Sequence, residues 1–183
     1  MEVTLQKGDV IYHGFRYNAA KIASNKPMFF STYDVAKLYS KISCGMYEVT
    51  ETLKLFYFTA KNVNKLKKLV PKEKKEYLER YFVKNNKTKK YEVNTSGYVT
   101  KDDFVNGTYL SLGLAEIVCS LGFDGWYVPA GYMRAKSQYS FHEEVVVCKP
   151  KKVKHLGKCM DKHVPTIPVH FHKKTLNKKK VAF

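Results

Sequence analysis

The chain has 183 residues, 44% of them hydrophobic and 14% aromatic, which is about one domain's worth of core and excludes a wholly disordered polymer. Its formal net charge is +17, from 33 Lys and Arg against 16 Asp and Glu, which points to polyanionic partners. No stretch approaches the about 20 apolar residues of a membrane span, and the opening MEVTLQKGDV lacks a basic head followed by an apolar run, so the expectation is an intracellular protein, cytoplasmic or nuclear, without signal peptide or membrane span.

Val10 to His13 alternates as a strand does, and VIYHGF ends on an ionisable ring and a residue without a side chain. Residues 19–24 predict a short helix and 27–32, PMFFST, a second strand. Residues 33–40, YDVAKLYS, predict a helix with Asp34 in its first turn, where an acid suits the dipole. Ser31 and Thr32 are placed to cap it. Residues 46–58 read as one long strand rich in β-formers. Residues 62–70 and 71–82 predict lysine-rich amphipathic helices split at Pro71, and 83–100 a polar loop.

Asp102 or Asp103 would cap a helix running to Leu121, with Leu110, Leu114, Ile117, Val118 and Leu121 as its apolar stripe and Gly122 as its stop. Residues 123–129 predict a strand, although Asp124-Gly125 equally suits a hairpin corner, and Trp126 reads as core. Residues 131–140 predict a loop and 143–150 a strand stopped by Pro150; the tail after about 157 has no periodicity. No GxGxxG or GxxxxGK[ST] turn is present. The fold class expected is α+β with a largely antiparallel sheet.

Residues 149–183 hold eleven lysines and one acid, Asp161, a net of +10, which leaves +7 for the other 148 residues. Lysine predominates over arginine, so non-specific attraction to nucleic acid is expected rather than base reading. Cys44, Cys119, Cys148 and Cys159 form no CxxC pair and read as reduced thiols. Cys159, His163, His170 and His172 are zinc-ligand types, but their spacing matches no common finger, so no metal is expected.

Four pieces carry chemistry when taken together: YHG at 12–14, FFST followed by AKLY at 29–39, LGFDGWYVPA at 121–130, and FHEEVVVCKPKKV at 141–153. Their order over residues 8 to 157 resembles the ADP-ribosyltransferase fold family. That resemblance implies a split, mostly antiparallel β-sheet with flanking helices over residues 1–157, and a basic C-terminal extension over 158–183. It also implies NAD as substrate. Glu144, opening Glu-x-Val-Val-x-x-Pro-x-x-Val, would be catalytic, stabilising the oxocarbenium-like ribose and hydrogen-bonding its 2-hydroxyl. His13 would hold the adenosine-side ribose, Gly14 admit the nicotinamide amide, Ser31 bond near that ring, and Tyr39 stack on it. The imidazole and the carboxylate would line opposite walls of one cleft.

His-Tyr-Glu is similar to the diphtheria-toxin and poly-ADP-ribose polymerase branch, and His142 stands where arginine-modifying members often carry an acid or Gln. Glu143 is out of phase in the strand. The function expected is mono-ADP-ribosylation of a protein or nucleic-acid acceptor, with Arg134, Lys136 and Gln138 near the acceptor. Transfer of an RNA 2′-phosphate to NAD fits less well, because Glu144 takes the place of the basic cluster used there. The alternative from another class is a nucleic-acid-binding protein on a catalytically weak version of the fold. Each residue also has a plain reading: His13 as a strand-end histidine, Glu144 as an edge residue, Tyr39 as core. The lysine bias suits an AT-rich genome, viral or parasitic.

Overall fold

A computed structural model describes residues 2–15, 27–40, 43–84, 86–87, 91–93, 110–130, 143–160 and 166–171. Strands β1 (Glu2–Leu5), β2 (Val10–Phe15) and β3 (Met28–Phe30) lead into helix α1 (Tyr33–Tyr39). Strands β4 (Ser43–Val49) and β5 (Leu53–Tyr57) follow, then helices α2 (Ala60–Leu69) and α3 (Lys72–Tyr81). A hairpin of β6 (Phe82–Lys84) and β7 (Tyr91–Val93) precedes helix α4 (Leu110–Ser120). The chain continues through β8 (Gly125–Val128), β9 (Glu144–Val147), a 3-10 turn (Pro150–Lys152), β10 (Val153–Lys158) and β11 (His170–Phe171).

One sheet has the order β11-β1-β5-β8-β9-β3 and a second the order β10-β4-β2. Among the described residues every strand pairing is antiparallel except that of β5 with β8. The class is therefore α+β, with more sheet than helix. A single pair of residues, Tyr12 and Ser31, bridges β2 to β3 and so joins the two sheets.

Helices α2, α3 and α4 cover one face of the larger sheet. Val63, Leu66, Leu78, Leu114 and Val118 meet Trp126 there, all of them 1% exposed or less. The apolar stripe expected in α4 is buried at Leu114, Ile117 and Val118, while Leu121, beyond the helix end, is 40% exposed. Thr59 caps α2, its hydroxyl accepting from Asn62 N at 3.3 Å. The opposite face joins both sheets in a second core containing Leu5, Ile11, Phe30, Tyr47, Leu55 and Val145.

Several expectations are corrected. The strand expected over 46–58 is two strands in different sheets, broken at residues 50–52, where Glu51 is exposed. Thr50 N donates to Lys152 O at 2.9 Å, tying the break to the turn before β10. A run of β-formers marks extended backbone but does not say which partner takes each half. Residues 82–84 and 91–93 pair as antiparallel strands where the end of a helix and a loop were expected, and β1 was not foreseen because four residues give little periodicity.

The tail is also more ordered than its sequence indicates. The expected boundary at 157/158 falls inside β10, β11 pairs with β1, and Ile167 is 4% exposed in the second core. The cysteines read as thiols are paired, Cys44 with Cys159 and Cys119 with Cys148, with Cα separations of 5.3 and 6.4 Å. Sequence separations of 115 and 29 residues hid both contacts. The helix expected at 19–24, the capping Asp102 and Asp103, and the loop 131–140 lie outside the described residues.

Candidate functional site

The site is organised around β3. Tyr12 and Ser31 exchange two backbone hydrogen bonds, Tyr12 N to Ser31 O at 3.2 Å and Ser31 N to Tyr12 O at 2.9 Å. Beyond that pair β2 turns to β4 and β3 to β9, so the ladder between them stops after one step. A strand end left in this way exposes carbonyls that need donors. The imidazole of His13 supplies one: Nδ1 lies 2.6 Å from Phe29 O and donates to it.

That bond fixes the tautomer, because a carbonyl can only accept. With the proton on Nδ1, the neutral ring keeps a lone pair on Nε2. Burial pushes the His13 pKa below its ordinary value of 6.5, and the Phe29 carbonyl pulls the other way with less effect. Rings of Phe15, Phe30 and Tyr47 surround it at centroid distances of 4.8, 6.0 and 6.4 Å. Burial drives the Tyr47 hydroxyl up to about 12. Gly14 follows in β2 and pairs with Cys44.

On the other side of β3, β9 begins with Glu144, opposite Val128 of β8. The β3–β9 register, carried one residue further, sets Ser31 opposite Glu144. Glu144 is half-buried and its Oε1 is shielded from solvent. The Ser31 hydroxyl donates to Glu143 O at 2.5 Å, so its proton is committed to the start of β9. Thr32 occupies the N-cap of α1 without a side-chain cap bond. The Glu143 carboxylate accepts from Tyr127 OH at 2.9 Å and from Ile167 N at 2.7 Å. Burial first, and the Glu143 bond second, push the Tyr127 pKa far above its usual value.

His13, Ser31 and Glu144 are thus brought to one short strand, with β2 and β9 flanking it. Strand spacing puts β2 and β9 about 10 Å apart. His13 faces the core side with Phe30, while alternation places Glu144 with Ser31 on the other face, so the two groups lie on opposite faces of adjoining strands rather than on facing walls of one cleft as expected. Phe29 shares the parity of Ser31 and is 38% exposed, an aromatic beside the carboxylate that the sequence reading passed over. Its signal lay in the alternation of FFS, where only one of two adjacent phenylalanines belongs to the core.

Tyr39 closes α1, and its side chain lies outside the described residues. The helix itself is seated by Tyr33 and Ala36 against Tyr12 and Cys44. Arg134, Lys136, Gln138 and His142 lie outside the described residues, as do His163 and His172. Of the zinc-ligand types in the tail, Cys159 is bonded to Cys44 and His170 lies 3.3 Å from Asp9. Among the described residues no group of three metal-ligating side chains forms. No helix among them is long and apolar enough to cross a membrane. No family model, curated protein or solved structure matches the chain.

Proposed function

We propose that the chain is a NAD-dependent mono-ADP-ribosyltransferase on an ADP-ribosyltransferase-like split sheet. The observation that carries this reading is the side-by-side order of the His13 strand, the FFS strand and the Glu144 strand, joined at one residue pair. It supports the reading because the strands that carry the histidine, the aromatic-Phe-Ser run and the glutamate lie next to one another.

Each group has a task the chemistry needs. In this reading NAD passes around the end of β3 where β2 and β3 part, from the face that carries His13 to the face that carries Glu144. The His13 Nε2 lone pair accepts a hydroxyl of the adenosine ribose, which a protonated ring cannot do. The bond from the other ribose to nicotinamide breaks, its electron pair leaving with the cationic ring, which becomes neutral nicotinamide. Positive charge then grows on that ribose, and the Glu144 carboxylate accepts its 2-hydroxyl and offsets the charge. A nucleophile of the acceptor forms the new bond at the same carbon and loses its proton. The acceptor is a protein or nucleic-acid group.

The test is release of nicotinamide from labelled NAD by the purified chain. Turnover is expected, falling by a factor of about 10² to 10³ in Glu144→Gln, the range for removing a preorganised electrostatic contact. Equal turnover in wild type and variant, or none in the wild type, rejects the reading.

The second reading, a nucleic-acid-binding protein, draws on α2. Lys61, Lys65 and Lys68 line its exposed side at helical spacing, while Lys67 is engaged by Glu79 at 3.4 Å and, on α3, Lys74 by Glu116 at 3.5 Å. Salt-sensitive binding of single-stranded DNA without NAD turnover is its expected signature.

A further inference from the structure

We infer that Glu143 is a positioning residue for Glu144, and that the segment after β10 belongs to the catalytic unit because it supplies one of the hydrogen bonds that hold Glu143. The inference rests on the role of Glu144 proposed above. Residue 143 is held at three points. One carboxylate oxygen accepts from Tyr127 OH at 2.9 Å, the other from Ile167 N at 2.7 Å, and the main-chain oxygen from Ser31 Oγ at 2.5 Å.

Each donor is itself fixed. Tyr127 is 2% exposed and stacks on Tyr57 with centroids 5.8 Å apart. Phe171 of β11 sets its edge against the same Tyr57 at 5.3 Å. Ile167 is buried in the second core, and Val169 N donates to Ile167 O at 2.8 Å in a tight turn leading into β11. Strand β11 in turn pairs Phe171 with Val3 and His170 with Thr4. The tail is therefore strapped to β1 on one side and to the head of β9 on the other.

The consequence for Glu144 is geometric. The carbonyl of residue 143 and the N–Cα bond of residue 144 share one planar peptide. Fixing that oxygen through Ser31, and the side chain of the same residue through Tyr127 and Ile167, fixes the direction in which the Glu144 side chain leaves the strand. Alternation then sends Glu143 to one face and Glu144 to the other, and both Glu143 carboxylate oxygens are taken up by Tyr127 and Ile167, so Glu143 acts on catalysis without touching substrate. A misplacement of about 1 Å in such a carboxylate is enough to lower a rate by about 10²-fold.

The experiment measures kcat and KM for NAD in the full chain with Glu143→Gln, Glu143→Ala and Tyr127→Phe. Gln keeps an acceptor for Tyr127 OH but turns a second donor toward Ile167 N; Ala loses both bonds. The expected result is a graded fall in kcat, wild type above Gln above Ala and reaching about 10²-fold, with KM for NAD nearly constant. The Ile167 amide should also exchange faster in Glu143→Ala than in wild type. If Glu143→Ala does not fold, Tyr127→Phe, which removes one oxygen, carries the test alone. Unchanged kcat in folded variants, or kcat and KM moving together, overturns the inference while leaving the transferase reading intact. Absence of nicotinamide release from the wild-type chain overturns both.

Discussion

At the scale of single residues, His13 shows how an interrupted ladder sets chemistry. Its ring satisfies the Phe29 carbonyl at the point where β2 and β3 part, and that bond leaves Nε2 as an acceptor. Burial lowers its pKa, so the unfolded chain takes up this proton at a higher pH than the native one. As pH falls below about 6.5, the unfolded state binds more protons and stability declines until the native pKa is reached. Urea midpoints at pH 7.5 and 5.0 should therefore differ more in wild type than in His13→Gln. Nicotinamide release should show an acid limb below pH 6.5, since protonation converts the acceptor into a donor. An identical acid limb in His13→Gln would assign it to another group.

At the scale of elements, two glycines mark close approaches of different kinds. A Cβ on Gly125 of β8 would stand 1.8 Å from the Val146 carbonyl oxygen. Val146 is itself held in β9 between β8 and β3, so its backbone has no room to retreat. On Gly113 of α4 the same atom would stand 2.5 Å from the ring of Tyr77 of α3, a partly buried side chain rather than a backbone. Gly125→Ala should therefore cost about 3 kcal/mol or more and Gly113→Ala about 1 kcal/mol, read as shifts in denaturation midpoint. Comparable losses would mean that the β8–β9 backbone yields as readily as the tyrosine.

At the scale of the whole molecule, two disulfides brace the strands of the candidate site. Cys44 pairs across from Gly14 in the ladder and is bonded to Cys159 beyond β10, while Cys148, just after β9, is bonded to Cys119 of α4. Such pairing is favoured in oxidising compartments. The loops closed span 115 and 29 residues. Chain-entropy reasoning gives about 5 kcal/mol for the longer and about 3.6 kcal/mol for the shorter. Reduction should lower the Tm, and Cys159→Ser should lower it further than Cys119→Ser. A Tm indifferent to reductant would mean that packing alone holds β10 and α4 in place.

Composition and local pattern by themselves determined the α+β class, the helices near 60–81, the α4 stripe around Leu114 and Val118, and the strands carrying His13, Ser31 and Glu144. Those features depend on contacts within a few residues, where periodicity and turn chemistry operate. The sequence could not divide 46–58 between two sheets, foresee the 82–93 hairpin, pair the cysteines, or attach the tail to β1. Nor could it foresee that the Ser31 hydroxyl donates to the Glu143 carbonyl. Each of these outcomes was decided by partners tens of residues away, and only packing two sheets against a shared core selects which strand, carbonyl or thiol is met.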